Sequence, residues 1–358
     1  MPVFKKIITV VAVSIASVTL LSSCGGEREN DVNFSIGNSI ELAQAALVKD
    51  QILPGVVGFK DSATNFYTSA NTFCNSPTAT KLSSLQDNWK RLSISWQEIE
   101  LFNFGPLNDD IFSPKIEFIN SYRNRGIDYT GTVRAFIKRE LAKTSAVNFA
   151  NLNFNQGGLL ALEILSFSTS DDSASTDKAA VLADFNNARK CYLLKGYAKQ
   201  VKNDAVYIHN GWVNEHLATG KPFKDIYLSG ILPDDSSSLT TLIIAVQEHL
   251  DYIKKRNVLS RTAKLSQISY DNALTNINAV EKLLEGTTTN SFFTHMLAAG
   301  HGKEVEAIRA NIASVKQALL AKDQASYEAA IGVLDGNFKR EIPAALAVSL
   351  GLNFSDGD

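Results

Sequence analysis

The chain has 358 residues, a formal net charge of -2 and a sequence pI near 6.2. This balance lacks the basic surplus that a nucleic-acid-binding surface requires, so we expect no nucleic-acid partner. About 330 residues follow the apolar N-terminal segment. That length exceeds what one hydrophobic core usually contains, so two domains are expected.

The first 23 residues have the parts of a secretory signal peptide. A positively charged start precedes an apolar run, and Leu21-Ser22-Ser23-Cys24 ends that run as a lipobox. The run is short for a transmembrane helix, which needs about 20 apolar residues. The pattern predicts removal of residues 1–23 and lipid attachment to Cys24, which anchors the protein in the bacterial cell envelope, at the outer membrane or the periplasmic face. Residues 24–38 are predicted to form a flexible tether.

Two cysteines, Cys74 and Cys191, remain after the lipobox cysteine. Compartments outside the inner membrane are oxidising, so one prediction is a disulfide between them. The alternative is a pair of separate, buried thiols, because nothing in the sequence fixes the distance between the two side chains.

Long segments with apolar residues at helical spacing dominate the chain, and alternating strand patterns are scarce. Helices are predicted at 40–51, 59–73, 82–104, 133–143, 157–167, 179–218 (one helix or two), 239–256, 263–284, 305–321 and 327–334, with a short element from residue 341. Pro54-Gly55 is expected to end the first helix, and Gly105-Pro106 the third. These elements predict an all-α fold of two antiparallel helical bundles, residues 39–190 and 191–358.

Glu163 is the ionisable residue of the most apolar predicted helix. Leucines and Ile164 cover every side of the segment from Gly158 to Leu165, which indicates a helix buried all round. A carboxylate in such surroundings needs a partner, a metal ion or a proton.

Glu100 is a second acid that we expect to face inward. A helix turns by about 100° per residue, which places Trp89, Leu92, Trp96 and Ile99 on one apolar stripe. Glu100 lies at the edge of this stripe, whereas Glu98 points to the opposite side. Glu100 and Glu163 are therefore predicted to line one pocket between packed helices, where they would bind a cation or hold a proton. The alternative is that each pairs with an arginine or a backbone group, or reaches solvent.

Four parts of the chain resemble the imelysin family, which is also peptidase family M75. Gly158-Leu159-Leu160-Ala161-Leu162-Glu163 is similar to the family motif Gly-x-His-x-x-Glu, with Leu160 in place of the histidine. Residues 96–106 resemble the run W-E-x-x-E-x-F-x-F-G-P, with Glu100 at its inner glutamate. Residues 342–346 and 353–358 are similar to the closing pieces P-x-A-L-G and N-D-x-D-G-D.

The resemblance implies an all-α protein of two helical bundles that is secreted or lipid-anchored. It also implies an association with iron or haem acquisition, and metallopeptidase activity in some members. Gly158, Leu160, Glu163 and Glu100 would then surround the site, with the two glutamates as ligands of iron or another divalent metal. In the family motif, histidine and glutamate lie three residues apart and share one helix face, but an alkyl group such as Leu160 neither binds a metal ion nor transfers a proton.

The histidines do not supply an obvious replacement. They are His209, His216, His249, His295 and His301. His301-Gly302-Lys303-Glu304 has motif spacing, but it is typical of an exposed helix start, and the chain has no His-Glu-x-x-His motif of zinc peptidases.

The favoured hypothesis is a binding component linked to iron or haem acquisition, held to the membrane through the lipid at Cys24. One alternative is an M75-type metallopeptidase that uses Glu100, Glu163 and a histidine from elsewhere. Another is a catalytically inactive protein that binds a peptide or partner protein between the bundles. The sequence leaves open whether the protein is an enzyme.

Overall fold

The computed structural model describes residues 39–287 and 289–349. The predicted signal peptide, the lipid-attachment residue Cys24, the tether and the motif at 353–358 lie outside these residues.

The all-α fold is confirmed: the described residues form helices joined by turns, with one isolated β-bridge between Ile231 and Ser237. The α-helices are α1 (Leu53–Asn75), α2 (Ala79–Gln97), α3 (Lys115–Ile119), α4 (Thr130–Leu141), α5 (Gly158–Phe167), α6 (Lys178–Asp184), α7 (Ala188–Val213), α8 (Phe223–Leu228), α9 (Ser238–Lys255), α10 (Val258–Arg261), α11 (Ser269–Glu285), α12 (Phe292–Ala298), α13 (Gly302–Leu320), α14 (Gln324–Lys339) and α15 (Glu341–Ala345). Short 3-10 helices cover Gly105–Leu107, Ser121–Arg123, Phe149–Asn151 and Phe154–Gln156. Within the described ranges, no helix has the length and apolar character needed to cross a bilayer.

The first group of helices is built around α1. This helix packs against α2 and α7, and α7 also packs against α5. A disulfide joins Cys74 at the end of α1 to Cys191 in the first turns of α7, with 5.6 Å between the Cα atoms. Of the two arrangements that the sequence left open, the structure therefore has the paired one.

The second group consists of α9, α11, α13 and α14. In this group α13 packs against α11 and α14, and α14 also packs against α9. The two groups meet where α2 packs against α11. The boundary expected at residues 190/191 falls inside α7, a helix whose main contacts are with the first group. The division of the chain into two domains stays a prediction.

The break expected at Pro54-Gly55 is wrong. Residues 39–47 are helical, a π-helix follows at Val48–Ile52, and α1 continues directly from it. Proline has no N–H to donate to a carbonyl one turn earlier, but it is tolerated in the first turn of a helix. The π-helical turn resets the hydrogen-bond register, with the N–H of Leu53 donating to the carbonyl of Val48, and places Pro54 at such a start.

Two predicted helix ends also differ from the structure. α2 ends at Gln97 instead of 104, because the chain turns there and buries Ile99, Leu101 and Phe102 together. α11 begins at Ser269 instead of 263. Ala263 and Gln267 both have positive φ, 48° and 61°, a conformation that a right-handed helix excludes.

Candidate functional site

Gly158 allows the start of α5 to lie against the backbone at the end of α3. Its φ is +68°, and a Cβ atom there would lie 2.5 Å from the carbonyl oxygen of Ile119 and 2.7 Å from that of Phe118. Any larger residue would both adopt an unfavourable backbone conformation and clash with main chain that cannot easily move. The glycine of the motif is therefore required by packing, and it fixes where Glu163 lies.

Glu163 is 3% exposed and is held by the turn that precedes α11. Its Oε1 accepts hydrogen bonds from the N–H of Ser266 at 2.9 Å and from the Ser266 hydroxyl at 2.8 Å. Burial raises the pKa of Glu163 above its ordinary value. The hydrogen bonds from Ser266 and the positive charge of Arg134 oppose that shift.

A small cavity of about 40 Å³ lies beside Glu163. It has room for a few water molecules or one ion. Its lining includes Leu160 and the polar side chains of Ser93, Gln97, Asn120, Tyr122, Arg261 and Asn272. The side chain that stands in place of the family's histidine thus faces the same space as the motif glutamate, but offers it only methyl groups.

The other acid, Glu100, lies in the turn after α2 and is completely buried. Its Oε1 accepts a hydrogen bond of 2.7 Å from Nδ2 of Asn120. Its Oε2 and the indole Nε1 of Trp96 are both buried without a hydrogen bond of standard geometry in the described structure. Burial raises the pKa of Glu100, while the charge of Arg123, the hydrogen bond from Asn120 and the nearby Trp96 side chain lower it.

Arg123 connects Glu100 to a second buried group, His249. The guanidinium lies 4.6 Å from the centre of the Tyr252 ring, in a cation–π contact. Its Nη1 is 3.4 Å from Nδ1 of His249. Since arginine can only donate, Nδ1 of His249 acts as the acceptor, and the neutral ring carries its proton on Nε2. Burial, together with the charge of Arg123, holds the pKa of His249 well below its usual range, and a contact with Asn276 opposes this shift.

The predicted inward orientation of the two acids is confirmed, and Glu98 is exposed as expected. Their surroundings differ, however. Glu163 lines the 40 Å³ cavity and Glu100 does not, although Asn120 both lines that cavity and donates to Glu100. The joint binding of a ligand by Glu100 and Glu163 stays a prediction.

None of the five histidines lies among the residues that line the Glu163 cavity. His216 is buried with Nδ1 3.6 Å from Asp109, and His295 is buried with Nδ1 2.6 Å from the Ser39 hydroxyl. His301 precedes α13 and is partly exposed, 3.9 Å from Glu304. Across residues 39–287 and 289–349, no three His, Cys, Asp or Glu side chains are grouped to hold a metal ion.

Ser266 is the functional neighbour that the sequence does not reveal. It lies 103 residues from Glu163, inside a segment that periodicity assigns to a helix. A serine near the start of an apolar segment carries no signal for contact with a distant acid. Ala263 and Gln267, whose left-handed conformations build the turn, are not residue types that mark one.

Comparison with known proteins identifies the family. The family model of imelysin, Peptidase M75, matches residues 52–349. Because the match covers most of the chain and the fold agrees, this protein belongs to the imelysin family. Among curated proteins, no significant sequence match is found.

Two solved structures share the fold. An imelysin-like protein from Psychrobacter arcticum 273-4 superimposes with a TM-score of 0.68 at 16% identity, over 88% of this chain and 98% of that one. A putative iron-regulated protein A precursor from Parabacteroides distasonis ATCC 8503 gives a TM-score of 0.62 at 12% identity, over 86% of this chain and 95% of that one. At such low identity the likeness establishes the fold and leaves the ligands open.

Proposed function

We propose that this protein is a binding component of the bacterial cell envelope, linked to iron or haem acquisition and attached to the membrane through a lipid on Cys24. Membership of the imelysin family supports the proposal, as does the name of the Parabacteroides neighbour, an iron-regulated protein A precursor. The lipobox in the sequence supports the anchor.

The observation that favours binding over peptide hydrolysis is the environment of Glu163. A catalytic zinc ion usually has three protein ligands and an open position for water. Here Leu160 replaces the nitrogen ligand of the motif, and Oε1 of Glu163 is engaged by both donors of Ser266. The residues present do not fit a hydrolytic zinc centre at this place.

The cavity itself favours a different kind of ion. Its oxygen ligands are one carboxylate together with amide and hydroxyl oxygens, for example those of Asn120 and Ser93. Arg261 also lines the cavity, and its Nη1 donates to the carbonyl oxygen of Gly126 at 3.4 Å. Such a set suits a hard, oxygen-preferring cation better than zinc. A porphyrin is far larger than 40 Å³, so a haem ligand would require another surface of the protein.

The proposal is tested by metal binding to the purified full-length lipoprotein in detergent. We expect stoichiometric iron by elemental analysis and calorimetry after mild dialysis, and at least about tenfold weaker binding in Glu163→Gln, since a buried charged ligand is lost. Glu304→Gln, at a partly exposed residue that does not line the cavity, is the matched control. Wild-type protein that takes up neither iron nor haem would refute the proposal.

A second variant separates binding from catalysis. Leu160→His restores the nitrogen ligand of the family motif and should raise the affinity for Zn²⁺. Cleavage of peptides by the wild-type protein, abolished by a chelator, would instead favour the metallopeptidase alternative.

A further inference from the structure

A second and larger cavity, of about 260 Å³, opens between the segment that follows α2 and the C-terminal half of α9. Asn103, Arg123, Glu248 and Arg256 are among the residues that line it. Neither Glu163 nor Leu160 does, so the cavity is distinct from the motif site.

Two arginines, Arg123 and Arg256, line this cavity. Neither Arg123 nor Arg256 forms an ion pair within 4.0 Å in the part of the chain that the structure describes. Arginine in pockets is suited to planar anions, because its fork of donors matches the two oxygens of a carboxylate.

The guanidinium of Arg123 is held in place by its surroundings, whereas the exposed Arg256 is packed along its aliphatic stem. Arg123 stacks on the ring of Tyr252, with 4.6 Å to the ring centre. The stem of Arg256 lies against Gly126, where a Cβ atom would be only 2.2 Å from its Cδ. Gly126 also has a φ of +61°, so its lack of a side chain serves both the turn and the packing of the arginine stem.

The opposite charge is present in the same cavity. Glu248 has no ion pair in the described structure and accepts only a long hydrogen bond of 3.4 Å from Nδ2 of Asn103. The Oδ1 atom of Asn103 is buried there without a hydrogen-bond donor. Together these oxygens form an acceptor site that a ligand with several N–H groups would satisfy.

The other two acids of the lining are already engaged. Asp251 pairs with Lys255 at 3.0 Å and with Lys254 at 3.4 Å. Glu117 accepts a hydrogen bond of 3.0 Å from Asn124. Neither is grouped with further His, Cys, Asp or Glu side chains as metal ligands would be.

We propose that this cavity binds a free α-amino acid as its zwitterion. The ligand's carboxylate lies between Arg123 and Arg256, and its ammonium group donates to Oδ1 of Asn103 and to the carboxylate of Glu248. The volume of 260 Å³ is large enough to enclose a free amino acid. Such a ligand gives a partner to Arg256, to Glu248 and to the buried Oδ1 atom of Asn103.

The experiment is isothermal titration of the full-length lipoprotein in detergent with each of the common L-amino acids. We expect saturable one-to-one binding of at least one of them. Its N-acetyl derivative lacks the ammonium group and its α-amide lacks the carboxylate, so each should bind at least about tenfold more weakly. An equal response to simple carboxylates such as acetate would overturn the proposal, as would no binding by any amino acid.

Two variants assign the two ends of the ligand. Arg256→Gln should weaken binding of the amino acid. In this variant, amidation of the ligand's α-carboxylate should reduce the affinity less than it does in the wild-type protein. Glu248→Gln should also weaken binding, and in this variant N-acetylation of the ligand should reduce the affinity less than it does in the wild-type protein. Arg91→Gln, at an exposed residue, and Glu304→Gln, at a partly exposed one, are matched controls outside the cavity and should bind like the wild-type protein. Unchanged affinity in both cavity variants would place the ligand elsewhere.

This proposal and the one on iron fail separately. Glu163→Gln should leave amino-acid binding unchanged, because Glu163 does not line the larger cavity. Loss of amino-acid binding in that variant, with the fold retained by circular dichroism, would contradict the assignment of the ligand to this cavity.

Discussion

Ser266 donates both its N–H and its hydroxyl to one carboxylate oxygen of Glu163, at 2.9 and 2.8 Å. The two residues belong to different parts of the chain, since Glu163 lies on α5 and Ser266 in the turn before α11. The acid of the family motif therefore ties the first group of helices to the second. In this protein a residue type associated with ligand binding also carries a structural contact.

The Ser266 hydroxyl should contribute measurably to stability. Ser266→Ala keeps the N–H bond to Glu163 but removes the O–H bond, and should lower the free energy of unfolding by about 1–3 kcal/mol. Urea denaturation followed by circular dichroism measures it. Ser260→Ala is the control, because that exposed hydroxyl bonds only to the nearby carbonyl of Asn257. Equal unfolding free energies in the two variants would mean that the Glu163 contact adds nothing.

The buried acids should make stability fall as the pH rises. Burial raises the pKa of Glu100 and of Glu163 above the ordinary value of 4.5. Between pH 4.5 and the raised pKa, the unfolded chain has released these protons while the folded protein still holds them. The free energy of unfolding therefore falls as the pH rises through the raised pKa. Relative to wild type, Glu100→Gln should therefore gain stability between about pH 4.5 and neutral pH.

Denaturation of both proteins at several pH values tests this difference. Glu304→Gln, at a partly exposed acid, should show the same pH dependence of unfolding free energy as the wild type. If the free energy of unfolding of Glu100→Gln has the same pH dependence as that of the wild type, then Glu100 titrates alike in the folded and unfolded chain.

Periodicity predicted the burial of Glu163, because a helix turns each side chain in a known direction. Glu100 is buried as predicted, but it lies in the turn after α2 and not on a helix. Periodicity could not predict which residues contact these two acids. Asn120 meets Glu100 only because α2 ends early at Gln97, and Ser266 meets Glu163 only through a turn between residues 263 and 267. Both depend on tertiary packing that overrides local propensity. The sequence likewise contained the charged residues of the larger cavity, but nothing in it placed residues 103 and 256 together.

His249 should have the opposite pH effect. Burial and the charge of Arg123 hold its pKa well below the ordinary 6.5, so the folded protein keeps the ring neutral while the unfolded chain takes up a proton. The stability that this residue confers is present above about pH 6.5 and is lost as the pH falls. His249→Gln should flatten the fall in unfolding free energy on the acid side of that pH.

His209→Gln is the matched control for this comparison. His209 is partly exposed on α7 and contacts the neighbouring Asn210. The slope of unfolding free energy against pH between 5 and 6.5 is the quantity to compare. A slope in His249→Gln equal to that of the control would exclude His249 as the source of acid sensitivity.

The disulfide between Cys74 and Cys191 should stabilise the first group of helices. It closes a loop with a sequence separation of 117, and it joins α1 to α7, two helices that pack against each other. Cross-links across long loops restrict the unfolded chain, so removing this one should lower the free energy of unfolding by about 2–5 kcal/mol. The double variant Cys74→Ala, Cys191→Ala, compared with the wild-type protein in urea without reductant, measures the loss.

Reductant supplies the internal control for that measurement. Dithiothreitol should lower the stability of the wild-type protein toward that of the double variant and leave the variant unchanged. Because both cysteines lie where α1 and α7 already touch, the fold should persist without the bond, with unchanged helix content by circular dichroism. Wild-type stability that does not respond to reductant, in protein shown by thiol titration to be reduced, would mean that helix packing alone holds these two helices together.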